Sequence, residues 1–224
     1  MSEFFHFAVS RNFIQPTDDH IRAYMRDTKP SINNYYLRWL SVDRPFEYHD
    51  DHSRIPAIVQ SIMDEYDFLG ITERLDESLI ALQMILNLDI SDILYLSAKV
   101  NGGWDDGVYR NTCYYIVPSF VSTSIKEYFL ESEEWYNFTV GDNLVYRAAN
   151  ASLDATIASM DRAEFEKNLR IYRWALQQVE QSCRSSTVFP CSPSGKRNFD
   201  NDCMVWDSGC GMECIDVVAK GLKR

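Results

Sequence analysis

The sequence predicts an α/β domain that is mostly helical and is followed by a cysteine-rich tail. Apolar residues recur at helical spacing through much of residues 1–182, which form the predicted domain. One apolar run, Tyr66–Ile71, lies beside a glycine and a capping threonine, as a buried strand does before a helix. Five of the six cysteines lie in the predicted tail, residues 183–224. These three observations define the expected fold class.

Three helices are predicted before the strand. Thr17 is a candidate N-cap for a helix that ends near Arg26, and Ser31 is a candidate cap for the next helix. Pro56 suits the first turn of the third helix, since proline lacks the N–H that would be unpaired there. The apolar faces of the second and third helices contain Ile32, Tyr36, Trp39 and Leu40, and then Ile55, Ile58, Val59 and Ile62.

The run Tyr66–Ile71 predicts the strand of a strand–turn–helix unit. Thr72 is expected to cap the helix, with Glu73 and Asp76 near its positive N-terminal end. Because one strand cannot form a sheet, the remaining strands must lie elsewhere. The leucines expected to face the core are Leu75, Leu79, Leu82 and Leu86.

Three further helices are predicted after Gly102-Gly103. The first covers about residues 122–130, and Thr139-x-x-Asp142 indicates a cap for the second. Asp161 is expected to cap the last, which continues to Ser182. The core-facing residues of the last two are Val145, Ala149, Leu153 and Ile157, and then Phe165, Leu169, Tyr172, Leu176 and Val179.

The tail cysteines predict disulfides and therefore an oxidising compartment. Residues 185–211 are rich in Ser, Pro, Gly, Asn and Asp, so this segment has few apolar groups to fold around. Zinc is the alternative, but the chain has no Cys-x-x-Cys and its histidines lie far upstream. An odd number of tail cysteines leaves Cys113 as the expected partner of one of them, with the pairing open. The tail cysteines are Cys183, Cys191, Cys203, Cys210 and Cys214.

The net charge of −11 argues against nucleic acid or a heavily sulfated polymer as a partner, because such polyanions bind basic surfaces. No apolar run approaches the ~20 residues that span a bilayer, and the first residues do not resemble a signal peptide. Two glycosylation sequons, at Asn137 and Asn150, fit a secretory protein. We therefore expect a fragment or a gene model that begins too late, with any membrane anchor in the missing N-terminal part.

Three segments, in the same order, resemble the Golgi-type carbohydrate sulfotransferases. The first is Asn34-Tyr-Tyr-Leu-Arg38-Trp-Leu40, similar to an Asn-x-x-x-Arg-x-Leu segment of that family. The second, Phe68-Leu-Gly-Ile-Thr-Glu73-Arg-Leu-Asp-Glu-Ser78, is similar to its strand-to-helix motif. The third, from Asp142 to Asp154, is similar to a helix near the end of the catalytic domain. The motif residues are Asn34, Gly70, Thr72, Glu73, Arg74, Tyr146 and Asn150.

The resemblance implies the C-terminal part of a three-layer, P-loop sulfotransferase-like α/β domain in the Golgi lumen. Family members transfer a sulfuryl group from 3′-phosphoadenosine-5′-phosphosulfate (PAPS) to a carbohydrate hydroxyl. Arg38 shares a helix face with Asn34 and is the candidate contact to PAPS or to an acidic acceptor group. A glycine-rich phosphate loop is missing, so the resemblance implies that most of the donor site lies outside the chain and leaves the catalytic base unassigned.

Two other functions are open: a non-catalytic luminal or secreted glycan-binding relative, and a disulfide-stapled structural module without a ligand. The cluster from His49 to His52 could hold a metal or act as a base, but its charge density favours a solvated loop. The pairs Tyr35-Tyr36 and Tyr114-Tyr115 could stack sugars, although we expect them to pack in the core.

Overall fold

The computed structural model describes residues 15, 17–41, 51–98, 113, 122–192, 196–206 and 208–222. Within these ranges the chain is mostly helical, as predicted, and its β-structure is limited to two isolated bridges in the tail. Short 3₁₀ turns lie at Thr72–Arg74 and Ile90–Ile93. The α-helices in this part of the chain are α1 (Asp18–Ile32), α2 (Tyr35–Leu40), α3 (Ile55–Glu65), α4 (Leu75–Leu86), α5 (Thr123–Glu131), α6 (Glu133–Ser159), α7 (Arg162–Cys183) and α8 (Met212–Leu222).

The larger of two hydrophobic cores, core A, lies where α4, α7, α8 and the C-terminal half of α6 meet. Ile80 of α4 and Tyr172 of α7 are fully buried there, and Leu153 and Ile215 join them from α6 and α8. Burying such side chains contributes about 1.5–3 kcal/mol each, so this contact of four helices stabilises most of the C-terminal half. Because α8 belongs to core A, the cysteine-rich tail is packed on the preceding helices.

The smaller core, core B, lies between α2, α3 and the N-terminal half of α6. Leu37 of α2 is fully buried against Ile58 and Ile62 of α3 and against Val145 of α6. The predicted apolar face of α3 is therefore confirmed, as is the position of Pro56 in its first turn. Core B places α2 beside the segment that enters α4.

Several predicted helix starts are confirmed. The Ser122 hydroxyl accepts a hydrogen bond from the N–H of Ile125 at the start of α5, and the Asp161 carboxylate accepts one from Glu164 at the start of α7. Thr17 accepts one from His20 in the same way, although α1 continues to Ile32 and not only to Arg26. The predicted core-facing stripes of α6 and α7 also lie in core A or core B, with Ile157 and Leu176 partly buried.

The predicted strand at Tyr66–Ile71 is wrong. The segment pairs with no strand among the described residues. Ile71 is buried in an extended conformation, and its backbone bonds instead to the Ser78 side chain. The Ser78 hydroxyl accepts from the Ile71 N–H at 2.9 Å and donates to the Ile71 carbonyl at 3.2 Å. The Ile71 carbonyl also accepts from the N–H of Arg74 at 3.0 Å. Local groups thus satisfy both backbone groups that a neighbouring strand would otherwise pair.

The predicted inner face of α4 is only partly correct. Leu79 is partly buried against core A, but Leu75 and Leu86 are exposed, and the buried residues of the helix are Ser78, Ile80 and Ala81. Thr72 does not cap this helix. It begins the 3₁₀ turn Thr72–Arg74, and α4 starts after that turn, at Leu75. The helix therefore starts later than predicted and turns a different stripe toward core A.

Two of the predicted helix N-caps, Ser31 and Thr139, are wrong. Ser31 lies inside α1, and α2 begins after Asn34, whose backbone is left-handed with φ of 46°. Thr139 lies inside α6, which starts at Glu133 and is capped by the Ser132 hydroxyl through the N–H of Trp135. Tyr36 and Trp39 are exposed and not buried as expected, because the later start of α2 turns Leu37 toward the core in their place.

All six cysteines form disulfides, and the predicted pairing of Cys113 with a tail cysteine is confirmed. The pairs are Cys113–Cys191, Cys183–Cys214 and Cys203–Cys210. Three disulfides indicate an oxidising, secretory-type compartment. In the described part of the chain, no helix combines the length and apolar character required to cross a membrane.

Candidate functional site

The three segments identified in the sequence surround one pocket of about 190 Å³. Tyr36 and Leu40 line it from α2, and Asp142 and Tyr146 line it from α6. The residues 70–73 complete it on the side where the chain enters α4. Segments far apart in sequence therefore contribute to a single concave surface.

The position of α2 in this pocket is set by α6. The Asn34 side-chain oxygen accepts a hydrogen bond from the N–H of Gly141 at 2.7 Å, and the Asn34 N–H donates to the Phe138 carbonyl at 3.1 Å. The Asp142 carboxylate accepts from the N–H of Leu37 at 3.0 Å, at the N-terminus of α2. Asp142 thus satisfies a donor that the helix itself leaves unpaired. Asn34, a predicted motif residue, has a structural role here.

Arg74 connects the start of α4 to the middle of α6. Its guanidinium donates to Glu77 at 2.6 Å, to Asn150 at 2.9 Å and to Asp154 at 2.7 Å. The carboxylates of Asp154 and then Glu77 raise the pKa of Arg74. Two predicted motif residues, Arg74 and Asn150, are therefore brought together, but as a link between helices behind the pocket.

The electrostatics of the pocket are acidic. Burial raises the pKa of Asp142 above its ordinary value, outweighing the backbone N–H groups of Leu37, Tyr36 and Tyr35 and the positive charge of Arg38, which lower it. Arg38 therefore lies close enough to act on Asp142 but does not line the pocket. Its predicted contact with PAPS stays a prediction.

Glu73 supplies the second carboxylate of the pocket. It is exposed and lines both this pocket and an adjacent groove at the start of α4. Gly70 and Thr72 lie beside it in the lining, and Tyr146 of α6, which is nearly half exposed, belongs to the same lining. Four predicted motif residues therefore share one surface that combines carboxylates with aromatic rings.

The sequence does not identify Asp142 as a site residue, and for Tyr36 it favours core packing over a contact with sugar. Both belong to segments already selected, but the signal for Asp142 was misinterpreted as a helix cap. A glycine directly before it, inside a helix, was the available clue, because glycine in a helix interior costs ~1 kcal/mol relative to alanine. Such a glycine often marks a close contact with another element.

The predicted cluster around His52 is only partly described, since His49 and Asp50 lie outside the described residues. Asp51 accepts hydrogen bonds from the backbone and the hydroxyl of Ser53, and its pKa is lowered by them. Among the residues that the structure describes, no three metal-ligating side chains come together. Asp51 thus organises the turn before α3. The pair Tyr114-Tyr115 also lies outside the described residues.

The two sequons differ in their surroundings. Asn137 is exposed on α6, whereas Asn150 is half-buried and bonded to Arg74.

Comparisons of the chain with protein-family models, with curated proteins and with solved structures found no match.

Proposed function

We propose that this chain forms the acceptor side of a carbohydrate sulfotransferase, which transfers a sulfuryl group from PAPS to a sugar hydroxyl. The observation that carries the proposal is the convergence on one pocket of the three segments that resemble the Golgi-type enzymes. The finer fold, a three-layer P-loop domain, and a location in the Golgi lumen belong to the same proposal. The disulfides support a luminal location because they need an oxidising compartment.

The charge of the pocket favours the acceptor over the donor. Among the residues that the structure describes, the carboxyl groups of its lining are those of Glu73 and Asp142, and none of these described lining residues is a lysine or arginine. The donor carries several negative charges and would be repelled there. Sugar hydroxyls donate hydrogen bonds, and a carboxylate is a strong acceptor for them. Arg38, which lies outside the lining, is the candidate contact to the donor.

The reaction defines what this site must do. The acceptor hydroxyl oxygen bonds to the sulfur of PAPS, the bond from sulfur to the bridging phosphate oxygen breaks, and 3′-phosphoadenosine-5′-phosphate leaves. The hydroxyl proton passes to a base. We assign Glu73 the role of holding an acceptor hydroxyl, because its exposed carboxylate lines the pocket and can accept a hydrogen bond.

The test uses the protein purified from its natural source and supplied with ³⁵S-labelled PAPS and neutral oligosaccharides. We expect label in the sugar. In recombinant protein, Glu73→Gln should lower acceptor affinity about tenfold. The amide still accepts a hydrogen bond, but a neutral one contributes about 0.5–1.5 kcal/mol where one to a charged group contributes about 1.5–3 kcal/mol. Glu133→Gln, at an exposed position in the first turn of α6, is the matched control and should change nothing.

The alternatives give different results in the same assay. Sugar binding without transfer of label supports a non-catalytic glycan-binding relative. Neither binding nor transfer, by protein that is folded and oxidised, supports a structural module and contradicts the proposal.

A further inference from the structure

We propose that three aromatic side chains of α2 contact the sugar unit that adjoins the acceptor sugar, with Trp39 providing the face on which this sugar stacks. This aromatic platform consists of Tyr35, Tyr36 and Trp39, and the inference rests on the function proposed for the neighbouring pocket. It adds a second subsite outside the pocket and makes the ligand an oligosaccharide.

The platform is a continuous exposed surface. Its side chains are 44%, 63% and 68% exposed for Tyr35, Tyr36 and Trp39 respectively. The ring centroids of Tyr35 and Tyr36 lie 5.5 Å apart with their planes at 88°, and those of Tyr35 and Trp39 lie 5.9 Å apart with their planes at 48°. The rings therefore form an angled surface, on which one ring face stacks a sugar and the neighbouring rings contact its sides. Single exposed apolar residues are common in proteins, but three in contact on one short helix form a patch that indicates binding.

The helix presents these rings because its buried side is fixed. Leu37 fills core B, and the Asp142 carboxylate holds the N-terminus of α2. Rings on a helix fixed at both points lose little conformational freedom when a ligand binds. Rigid tyrosine and tryptophan side chains provide contact area at a small entropic cost.

The size of the pocket requires a second subsite for any longer sugar. Its volume of about 190 Å³ is below the roughly 300–1,000 Å³ of pockets that hold drug-sized ligands. One sugar ring is therefore the ligand that suits it, and the next ring must lie outside. Tyr36 belongs both to the pocket lining and to the platform, so the two surfaces are continuous.

The chemistry of a pyranose suits this surface. One face of the ring presents C–H groups, which carry a small positive charge, while the face of an aromatic ring is negative. The hydroxyls at the ring edge remain in water or reach a carboxylate such as Glu73. An uncharged sugar is favoured because both carboxylates share the pocket lining with Tyr36.

The experiment measures sugar binding to oxidised protein of residues 1–224 by saturation-transfer-difference NMR titration. The probes are the methyl glycosides of glucose, galactose and N-acetylglucosamine, each compared with a β-linked disaccharide: cellobiose, lactose and chitobiose. For the sugar that binds, we expect its disaccharide to bind more tightly. Trp39→Ala should weaken the disaccharide about two- to tenfold and leave the monosaccharide unchanged, because one aromatic contact is lost.

The control is Trp174→Ala, which removes an equally large side chain that is 52% exposed on α7, outside the pocket lining. It should change neither affinity. Equal affinities of monosaccharide and disaccharide, or no effect of Trp39→Ala, overturn the platform but leave the pocket as a sugar site. The platform is also contradicted if Trp39→Ala weakens binding of the monosaccharide and of the disaccharide to the same degree. If no sugar binds the unaltered chain, the proposed function itself fails.

A protein partner is the competing occupant, including a second copy of the chain. Sedimentation of the unaltered protein over a range of concentrations distinguishes it. Self-association that Trp39→Ala abolishes would assign the platform to a protein interface and overturn the sugar subsite. The sugar subsite is supported if the protein is a monomer at all concentrations and Trp39→Ala weakens binding of the disaccharide.

Discussion

The side-chain oxygen of Asn34 accepts a hydrogen bond of 2.7 Å from the backbone N–H of Gly141, a residue 107 positions later in the chain. A Cβ atom on residue 141 would lie 2.8 Å from that oxygen and 2.7 Å from Cδ2 of Leu37. The contact between α2 and α6 therefore depends on the missing side chain. Because the same contact positions Tyr36 and Asp142, it determines the shape of the pocket.

We expect Gly141→Ala to lower the free energy of unfolding by roughly 1–3 kcal/mol, the usual cost of overpacking a tight contact. Urea denaturation followed by circular dichroism measures it. The control is Gly221→Ala in α8, where an added Cβ meets nothing within 4 Å. That change should be neutral or stabilising by up to ~1 kcal/mol, as helix propensity dictates. A stabilising Gly141→Ala would contradict the close contact.

The partly buried carboxyl of Asp142 makes stability depend on pH in a defined direction. Its folded-state pKa is raised, so the folded chain holds this proton more tightly than the unfolded chain. The free energy of unfolding must then fall as pH rises from about 4 through the raised folded-state pKa. Asp142→Asn lacks this group but keeps a side-chain oxygen that can accept from α2.

The measurement compares urea unfolding of the unaltered protein and Asp142→Asn between pH 4 and pH 7. Taking the difference between their free energies of unfolding cancels the titration of other groups. As pH rises, Asp142→Asn should become more stable relative to the unaltered protein. A change of the opposite sign would show that the α2 N–H groups and Arg38 outweigh burial at this carboxyl.

The disulfide Cys183–Cys214 should contribute more to stability than Cys203–Cys210. Their sequence separations are 31 and 7 residues, and a longer closed loop restricts the unfolded chain more strongly. Replacing both residues of the first pair by alanine should cost roughly 3–4 kcal/mol, and replacing the second pair roughly 1 kcal/mol less. Chemical denaturation measures both, and equal costs would contradict the loop-entropy account.

Glycosylation should distinguish the two sequons. Asn137 is exposed, while Asn150 is half-buried against Arg74, so we expect a glycan at Asn137 only. Protein secreted by a eukaryotic host should lose mass on treatment with an N-glycosidase. Asn137→Gln should abolish this loss and Asn150→Gln should preserve it. A mass loss that disappears in Asn150→Gln instead would contradict the expected difference in access.

The features that the sequence predicts correctly depend on nearby residues. Ser122 and Asp161 each cap a helix by accepting a hydrogen bond from the N–H three residues ahead, and the apolar stripe of α7 repeats within a single helix. The features that the sequence predicts wrongly depend on residues far along the chain, or on a side chain that takes the place of a neighbouring strand. Asp142 serves a helix 105 residues earlier, and no local pattern shows this.

The segment before α4 illustrates the second kind of failure. Ile71 has the extended backbone and burial of a strand residue, so an apolar run correctly predicts its environment. Its backbone bonds to the Ser78 hydroxyl and to the N–H of Arg74, and the small polar side chain of Ser78 in an apolar stretch is the local signal for this arrangement. The segments that form the pocket could be selected from sequence. Their meeting point could not, because it depends on the Asn34–Gly141 contact.

Helix α6 is shared by both cores: Val140 and Val145 belong to core B, and Ala149 and Leu153 belong to core A. With 27 residues it is about 40 Å long. A cut or an inserted linker within residues 133–159 would remove packing partners from two places at once. Dividing the protein for expression, or exchanging one half with another protein, therefore requires a junction outside this helix.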